Sequence, residues 1–419
     1  MTLKDGSPMA RAKAATGPQF YLCLKDQAVF VADSGGKAIC PKCGSRDCVR
    51  VVDELDRMMS RAWNFVEGMR IKDKPYGYIK WSRSAYDEHN FFASYDAMCG
   101  LYKLLSLGYE PPISKAQFLE WCDAFHSWID PKTGVVEDEL LLKRVGRSKD
   151  YAYGMCLYTG RAGGMIKALP RLAGWRFSPN PGGPKAINVP KETREKEGHL
   201  PLFQDVESAR KWVESIQDTS PYGFCSSVGH ALLKYDTYLR ENHRKDNGVI
   251  EFFHKWLDEH QDPETGFWGS RKWPLHLGSA GYFKMVSHGG TYRRYGWQPR
   301  YRDKVIDSCL RMQDEHGRFE IADACINWDA LYNLRVVSKE IGYYRWDEIR
   351  LAAARSVLTV RACWKEDERG FSTSPTASCT GHCNMRLAPS CNEADMHALT
   401  IWTSIPEDIL LILLDEHKE

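Results

Sequence analysis

Two short stretches of the chain put metal-ligating residue types at matching places. In DACINWDALYNL, Cys325 follows Asp323 by two residues; in CNEADMHALTIW, His397 follows Asp395 by two. Thiolate, imidazole and carboxylate are the ligands zinc takes in open tetrahedral sites, with a fourth position left for water or substrate. Asp323, Cys325 and His397 are therefore the candidate catalytic zinc ligands. Asp329 stands four residues after Cys325 and would share its helix face, so it is either the carboxylate ligand or a general acid kept protonated by apolar neighbours. Asp395 would orient the His397 imidazole. The plainer alternative is that each acid at a helix start is only a cap, with Cys325 an inert thiol.

A second cysteine group lies in AICPKCGSRDC, which carries Cys40, Cys43 and Cys48, with Cys23 upstream in FYLCLKDQAVFVAD. A Cys-Pro-x-Cys-Gly turn aims two thiolates at one ion, and Gly44 permits the tight backbone. Cys23 and Cys48 are the completing ligands of a structural zinc, with four free thiols as the alternative. Further polar residues fall at helix starts: Asp87, His89 and Asn90; Glu137 and Asp138; Trp268, Arg271 and His276; Asn327 and Trp328; Glu393. With His288 and Tyr292 they offer acids, bases and ring faces to a substrate. Asp329, Asp395, Asp138, His89 and Tyr292 are the candidate catalytic groups; Trp268, Arg271, His276, Arg293, Arg294 and Trp328 are the candidate substrate contacts.

These residues must be positioned by repeated turns. DPKTGVVED, DPETGFWG, DEHGRFEIAD and KEDERGFSTS carry Gly134, Gly266, Gly317 and Gly370, the last three spaced by 51 and 53 residues. Each follows a segment with apolar residues recurring at three and four, and a second helix follows each. Helices are expected over 52–69, 90–107, 114–128, 152–172, 204–217, 225–242, 247–258, 277–295, 301–313, 324–341, 346–361 and 394–415. Paired, they make six hairpins, which close most simply into an all-α (α/α)6 toroid spanning 51–419, one helix of each pair inside. Residues 1–50 form a small N-terminal β/loop element with the possible zinc knuckle, and 178–198, rich in Gly and Pro, reads as a surface loop.

Composition narrows the partners. With 57 basic and 55 acidic residues the net charge is +2, so nothing points to nucleic acid or to an anionic membrane. No signal peptide or spanning segment is expected, which suggests a cytoplasmic protein. The chain has 14 Trp, 20 Tyr and 16 Phe, enough rings to line a deep cavity for a small molecule, apolar or saccharide.

TGFWG followed by PLHLGSAGYFKM, the DAC motif, and DMHALTIW resemble the α-toroid superfamily of protein prenyltransferase β subunits and squalene/oxidosqualene cyclases, over roughly residues 85–416. Protein prenyltransferases carry an Asp-x-Cys and a later His as zinc ligands, and the resemblance places these on Asp323, Cys325 and His397. It implies an enzyme acting on a terpenoid or prenyl-type substrate, with Arg271, Lys272, Arg293 and Arg294 as diphosphate contacts and a protein partner subunit as a further possibility. The Asp-x-Asp-Asp acid motif of the cyclases is absent, which argues against protonation-initiated cyclisation of squalene. The alternatives are an (α/α)6 glycosidase, epimerase or polysaccharide lyase, and a non-catalytic toroid that binds a ligand.

Overall fold

In a computed structural model, which describes residues 1–16, 18–33, 38–177, 183–190, 192–193, 202–288 and 295–415, two of the repeated turns are one structure, at Gly134 and Gly266, and the turn at Gly317 is the same design shortened by one residue. The N–H of Asp130, Asp262 and Asp314 donates to the carbonyl of Val135, Phe267 and Arg318, each at 2.9 Å. The same aspartates accept from the N–H two residues on, at Lys132, Glu264 and His316. Gly134, Gly266 and Gly317 close the turns at φ 67°, 73° and 77°, where a side chain is strained. The fourth turn differs. Arg369 takes the positive φ of 56°, and Gly370 is needed for a close approach instead, since a Cβ there would lie 2.6 Å from the Phe65 ring.

The chain divides into two compact units. The first comprises residues 1–198 and 357–414, the second 199–356 and 415–419. The first unit starts with α1 (Pro8–Ala14), capped by the Ser7 hydroxyl, and a three-stranded antiparallel sheet of β1 (Pro18–Cys23), β2 (Val29–Asp33) and β3 (Cys48–Arg50), ordered β2-β1-β3. It continues through α2 (Val51–Met69), α3 (Phe91–Leu107), α4 (Lys115–Ser127), α5 (Glu139–Val145) and α6 (Lys149–Ala173). Of the expected surface loop, 183–190 is described, and there Ile187 and Val189 are buried. Gly163 of α6 leaves room for the Ile187 backbone. The rest of that stretch, except 192–193, lies outside the described residues.

The second unit holds α7 (Val206–Ile216), α8 (Pro221–Glu241), α9 (Val249–His260), α10 (Leu275–Phe283) running into a π-helical turn at Lys284–His288, α11 (Arg302–Met312), α12 (Ala324–Glu340) and α13 (Trp346–Arg355). The amphipathic α9 and α11 lead into Gly turns, and the buried α10 and α12 follow them. α10 packs between α8 and α12, and α12 also takes α11 and α13. The chain then returns to the first unit with α14 (Val357–Cys363), two hairpins, β4 (Trp364–Lys365) with β5 (Gly370–Phe371) and β6 (Gly381–His382) with β7 (Met385–Arg386), and finally α15 (Met396–Trp402) and α16 (Ile405–Leu413).

The molecule is thus mostly helical with small sheets. Helices form where the apolar period foretold them, with 289–294 of the expected 277–295 helix outside the described residues, plus the short α1 and α5, each started by a side-chain cap. The last two expected helices are each divided, at Ser356 and at Thr403–Ser404. The hairpins of 364–386 are strands that the expectation of an all-α body missed, because two-residue strands carry no period to read. The N-terminal β element is present as expected. In the first unit α3 is the central helix, buried on every side over Phe91–Leu101 and packed by α6, α15 and α16. Among the described residues, one stretch, Met396–Leu413, is long and apolar enough to cross a membrane, and 72% of it is buried within the protein.

Candidate metal centre

α3 carries one acid, Asp96, in the middle of FFASYDAMCGLYKLL, at 2% exposure. A carboxylate in such a place needs partners, and the first unit brings two imidazoles to it. Nδ1 of His397, in the first turn of α15, lies 3.2 Å from Asp96 Oδ2. Nε2 of His382, on β6, lies 3.6 Å from the same oxygen. The three ligand atoms are all within 4.8 Å of one another.

Each residue is held by local structure. His382 precedes a two-residue turn in which Cys383 and Asn384 take φ 47° and 60°, a hairpin geometry that suits Asn and strains Cys. His397 is set by Asp395, the cap of α15, which accepts from the N–H of Ala398 at 2.8 Å, Cys379 at 2.8 Å and Thr373 at 3.2 Å. The Thr400 hydroxyl donates to the Asp96 carbonyl at 2.6 Å.

Rings wall the three residues. The Trp81 indole, anchored by its N–H to the Cys379 carbonyl at 3.0 Å, stacks on His397 at 6.2 Å and 11°. Phe92 stacks on His382 at 4.8 Å, and Tyr158 of α6 meets it edge-on at 4.7 Å. The Arg161 guanidinium lies 4.8 Å from the Tyr158 ring centroid. Burial pushes His382 down to about 3 in spite of Asp96, so its imidazole is neutral and has a lone pair to offer. Nε2 makes no hydrogen bond. The neighbouring Cys383 thiol is pushed up to about 11, again by burial.

Of the expected catalytic zinc ligands, His397 thus stands in a ligand cluster, and its companions are Asp96 and His382. Asp323 and Cys325 belong to the other unit. Asp323 caps α12 there, accepting from the N–H of Cys325 at 3.0 Å and of Ile326 at 3.3 Å, and Cys325 is half-buried. The N-terminal thiols do converge: Cys23, Cys40 and Cys43 form a second ligand group, with Asp26 as fourth member. Cys48 pairs with Cys23 across the sheet, its thiol 3.5 Å from the Ser45 carbonyl.

The remaining candidates separate into structural and reactive groups. Asp138 caps α5 and ties it to α3, accepting from the N–H of Leu141 at 3.0 Å and Phe91 at 2.7 Å, and burial raises its carboxyl above the usual range. Asp395 is pushed up to about 6 by burial, against its three backbone donors. His89 sits among aromatic rings, 4.8 Å from Tyr78, and burial holds its imidazole below the usual range. Trp268 is core, 1% exposed, with its N–H on the Leu257 carbonyl at 2.8 Å and its ring on Tyr282. It borders a small pocket of about 210 Å³ with Trp256 and His260.

Arg271 clamps Asp262 and Glu264 of its own turn, and Nδ1 of His276 pairs with Glu320 at 2.7 Å. Trp328 packs on Phe283 at 5.1 Å. Tyr292, Arg293 and Arg294 lie outside the described residues, as does the His288 side chain.

Asp329 is different. It is 1% exposed, its Oδ2 has no hydrogen-bond partner, and burial pushes it up to about 7, with Lys284 as the opposing influence.

Asp96 and His382 were missed in the sequence. The signal for Asp96 was a lone acid inside an otherwise apolar helix; His382, between Gly381 and Cys383 in a hairpin, left none. Comparison of the chain with protein-family models and with curated proteins gives no match.

Proposed function

We propose that the chain is a metal-dependent enzyme acting on a terpenoid or prenyl-type substrate, with Asp96, His382 and His397 as the ligands of its ion. In this reading the helix–turn–helix pairs close into an α-toroid. The observation that carries the proposal is the buried, unbonded Nε2 of His382, 3.6 Å from an oxygen that Nδ1 of His397 approaches at 3.2 Å. Ligand atoms around a tetrahedral ion with bonds of about 2.0–2.1 Å stand about 3.3–3.4 Å apart. The spacing fits an ion better than a hydrogen bond at His382, which would leave a buried nitrogen unsatisfied.

Two imidazoles and a carboxylate suit zinc or ferrous iron and leave coordination positions open. Such an ion supplies a Lewis acid and lowers the pKa of a bound water or hydroxyl. The protein's own groups do the rest. Asp395 and the Trp81 anchor keep His397 in place, Trp81 and Phe92 shield the two imidazoles from water, and Arg161, beside the Tyr158 ring, would be the cation to meet an anionic leaving group.

The test is metal analysis of the purified chain together with incubation against farnesyl and geranylgeranyl diphosphate. We expect His382→Ala to lose one ion equivalent and turnover together. Full metal content in that variant, or undiminished turnover, would overturn the assignment.

A second reading rests on Asp329. A buried carboxylic acid half-protonated near neutral pH is in the state to donate a proton to an alkene or to a glycosidic oxygen. Loss of turnover in Asp329→Asn with His382→Ala still active would favour this acid chemistry, the saccharide substrates of other helical toroids included.

A further inference from the structure

Two turns of the N-terminal element are built alike. In Cys23-Leu24-Lys25-Asp26-Gln27-Ala28 the N–H of Cys23 donates to the Ala28 carbonyl at 2.8 Å, and that of Gln27 to the Cys23 carbonyl at 3.1 Å. In Cys40-Pro41-Lys42-Cys43-Gly44-Ser45 the N–H of Cys40 donates to the Ser45 carbonyl at 2.8 Å, and that of Gly44 to the Cys40 carbonyl at 2.9 Å. The fifth residue of both is left-handed, Gln27 at φ 55° and Gly44 at φ 68°. Glycine adopts that conformation freely and glutamine does not, so the first turn keeps the shape of the second at some strain. Asp26 therefore occupies the place that Cys43 holds in its counterpart.

Two of the contacts between these side chains are close to the edges of a metal tetrahedron. Cys23 Sγ lies 3.7 Å from Cys43 Sγ, and Cys40 Sγ lies 3.4 Å from Asp26 Oδ2. With Zn–S bonds of about 2.3 Å and a Zn–O bond of about 2.0 Å, a tetrahedron has S–S edges of about 3.8 Å and S–O edges of about 3.5 Å. We propose that the paired turns hold one structural zinc ion through Cys23, Asp26, Cys40 and Cys43, with Asp26 in the place that spacing alone assigned to Cys48.

Binding displaces the three thiol protons and leaves three thiolates and a carboxylate on the ion. The ion ties the end of β1 to the turn before β3, and β3 runs directly into α2 at Val51. Cys48 stays a free thiol beside the site. The inference is independent of the Asp96–His382–His397 reading, because that centre contains no sulfur.

Cobalt substitution of the full chain tests it, since thiolate-to-cobalt bands in the near ultraviolet come only from sulfur ligands. Asp26→Cys should keep the ion and raise those bands by about a third, as thiolates go from three to four. Asp26→Ala should weaken zinc retention about tenfold or more against a competing chelator, and Cys48→Ser should change neither band nor retention. If Cys48→Ser removes about a quarter of the band intensity, as the loss of one thiolate in four would, or if both Asp26 variants behave as the parent chain does, Asp26 is not a ligand and the proposal fails.

Discussion

Replacing Asp329 by Asn should remove a loss of stability that the second unit otherwise suffers as pH rises. The Asp329 carboxyl is fully enclosed, and its pKa stands at about 7 against an ordinary value of 3.8. The folded chain therefore holds a proton that the unfolded chain releases. Below the unfolded value the neutral acid sits in its apolar site without penalty; as pH rises through about 7, the folded form must ionise a buried group or keep paying to hold the proton. Raising the carboxyl from 3.8 to about 7 corresponds to about 4 kcal/mol. Asn is neutral throughout, so its offset from the acid is constant apart from that proton.

Denaturant unfolding of the parent chain and Asp329→Asn, at about pH 4 and about pH 8, should show the variant gaining about 4 kcal/mol relative to the parent over that interval. Carboxyl-carbon NMR of the folded parent would follow the same proton directly. A stability difference that stays flat within about 1 kcal/mol, with an ionised carboxylate already at pH 5, would refute burial as the controlling influence. The acid reading of Asp329 would fall with it.

Gly266→Ala should destabilise by about 3 kcal/mol or more, because a Cβ at φ 73° would stand 2.5 Å from the Tyr301 carbonyl oxygen and 2.6 Å from the Val305 nitrogen. Gly174→Ala has φ 70° but open space around it and should cost about 1 kcal/mol; equal losses in thermal unfolding would show that the close approach is not what requires Gly266. Asp395→Ala strips three backbone donors of their acceptor, which should destabilise by about 3 kcal/mol, and it should also lower metal content, since the cap sets His397. Metal retention in a destabilised Asp395→Ala chain would separate the cap from the ligand cluster.

Much of the helical framework was readable because its signals are local. An apolar repeat at three and four shows which face of a helix is buried, and an acid followed within three or four residues by glycine foretold a turn, which the structure closes through a left-handed glycine at Gly134, Gly266 and Gly317. The turn that carries Cys40 and Cys43 was readable for the same reason. The fourth turn shows the limit: Gly370 matched the pattern but serves to let Phe65 approach, a demand made by a residue far away in the chain.

The two side-chain clusters show it more sharply. Residue type marked His397, Cys23, Cys40 and Cys43, but not the atoms they would meet. His397 joins an acid 301 positions away, and the position opposite Cys43 belongs to an aspartate whose backbone turn, not its chemistry, marks it as the partner. Sequence alone determined where helices and turns begin, because hydrogen bonds and packing within a few residues decide that. Only the tertiary structure decided that Asp96 and His382 share an oxygen's neighbourhood with His397. That depends on how α3, α15 and a hairpin pack their faces together, which no short stretch of chain encodes.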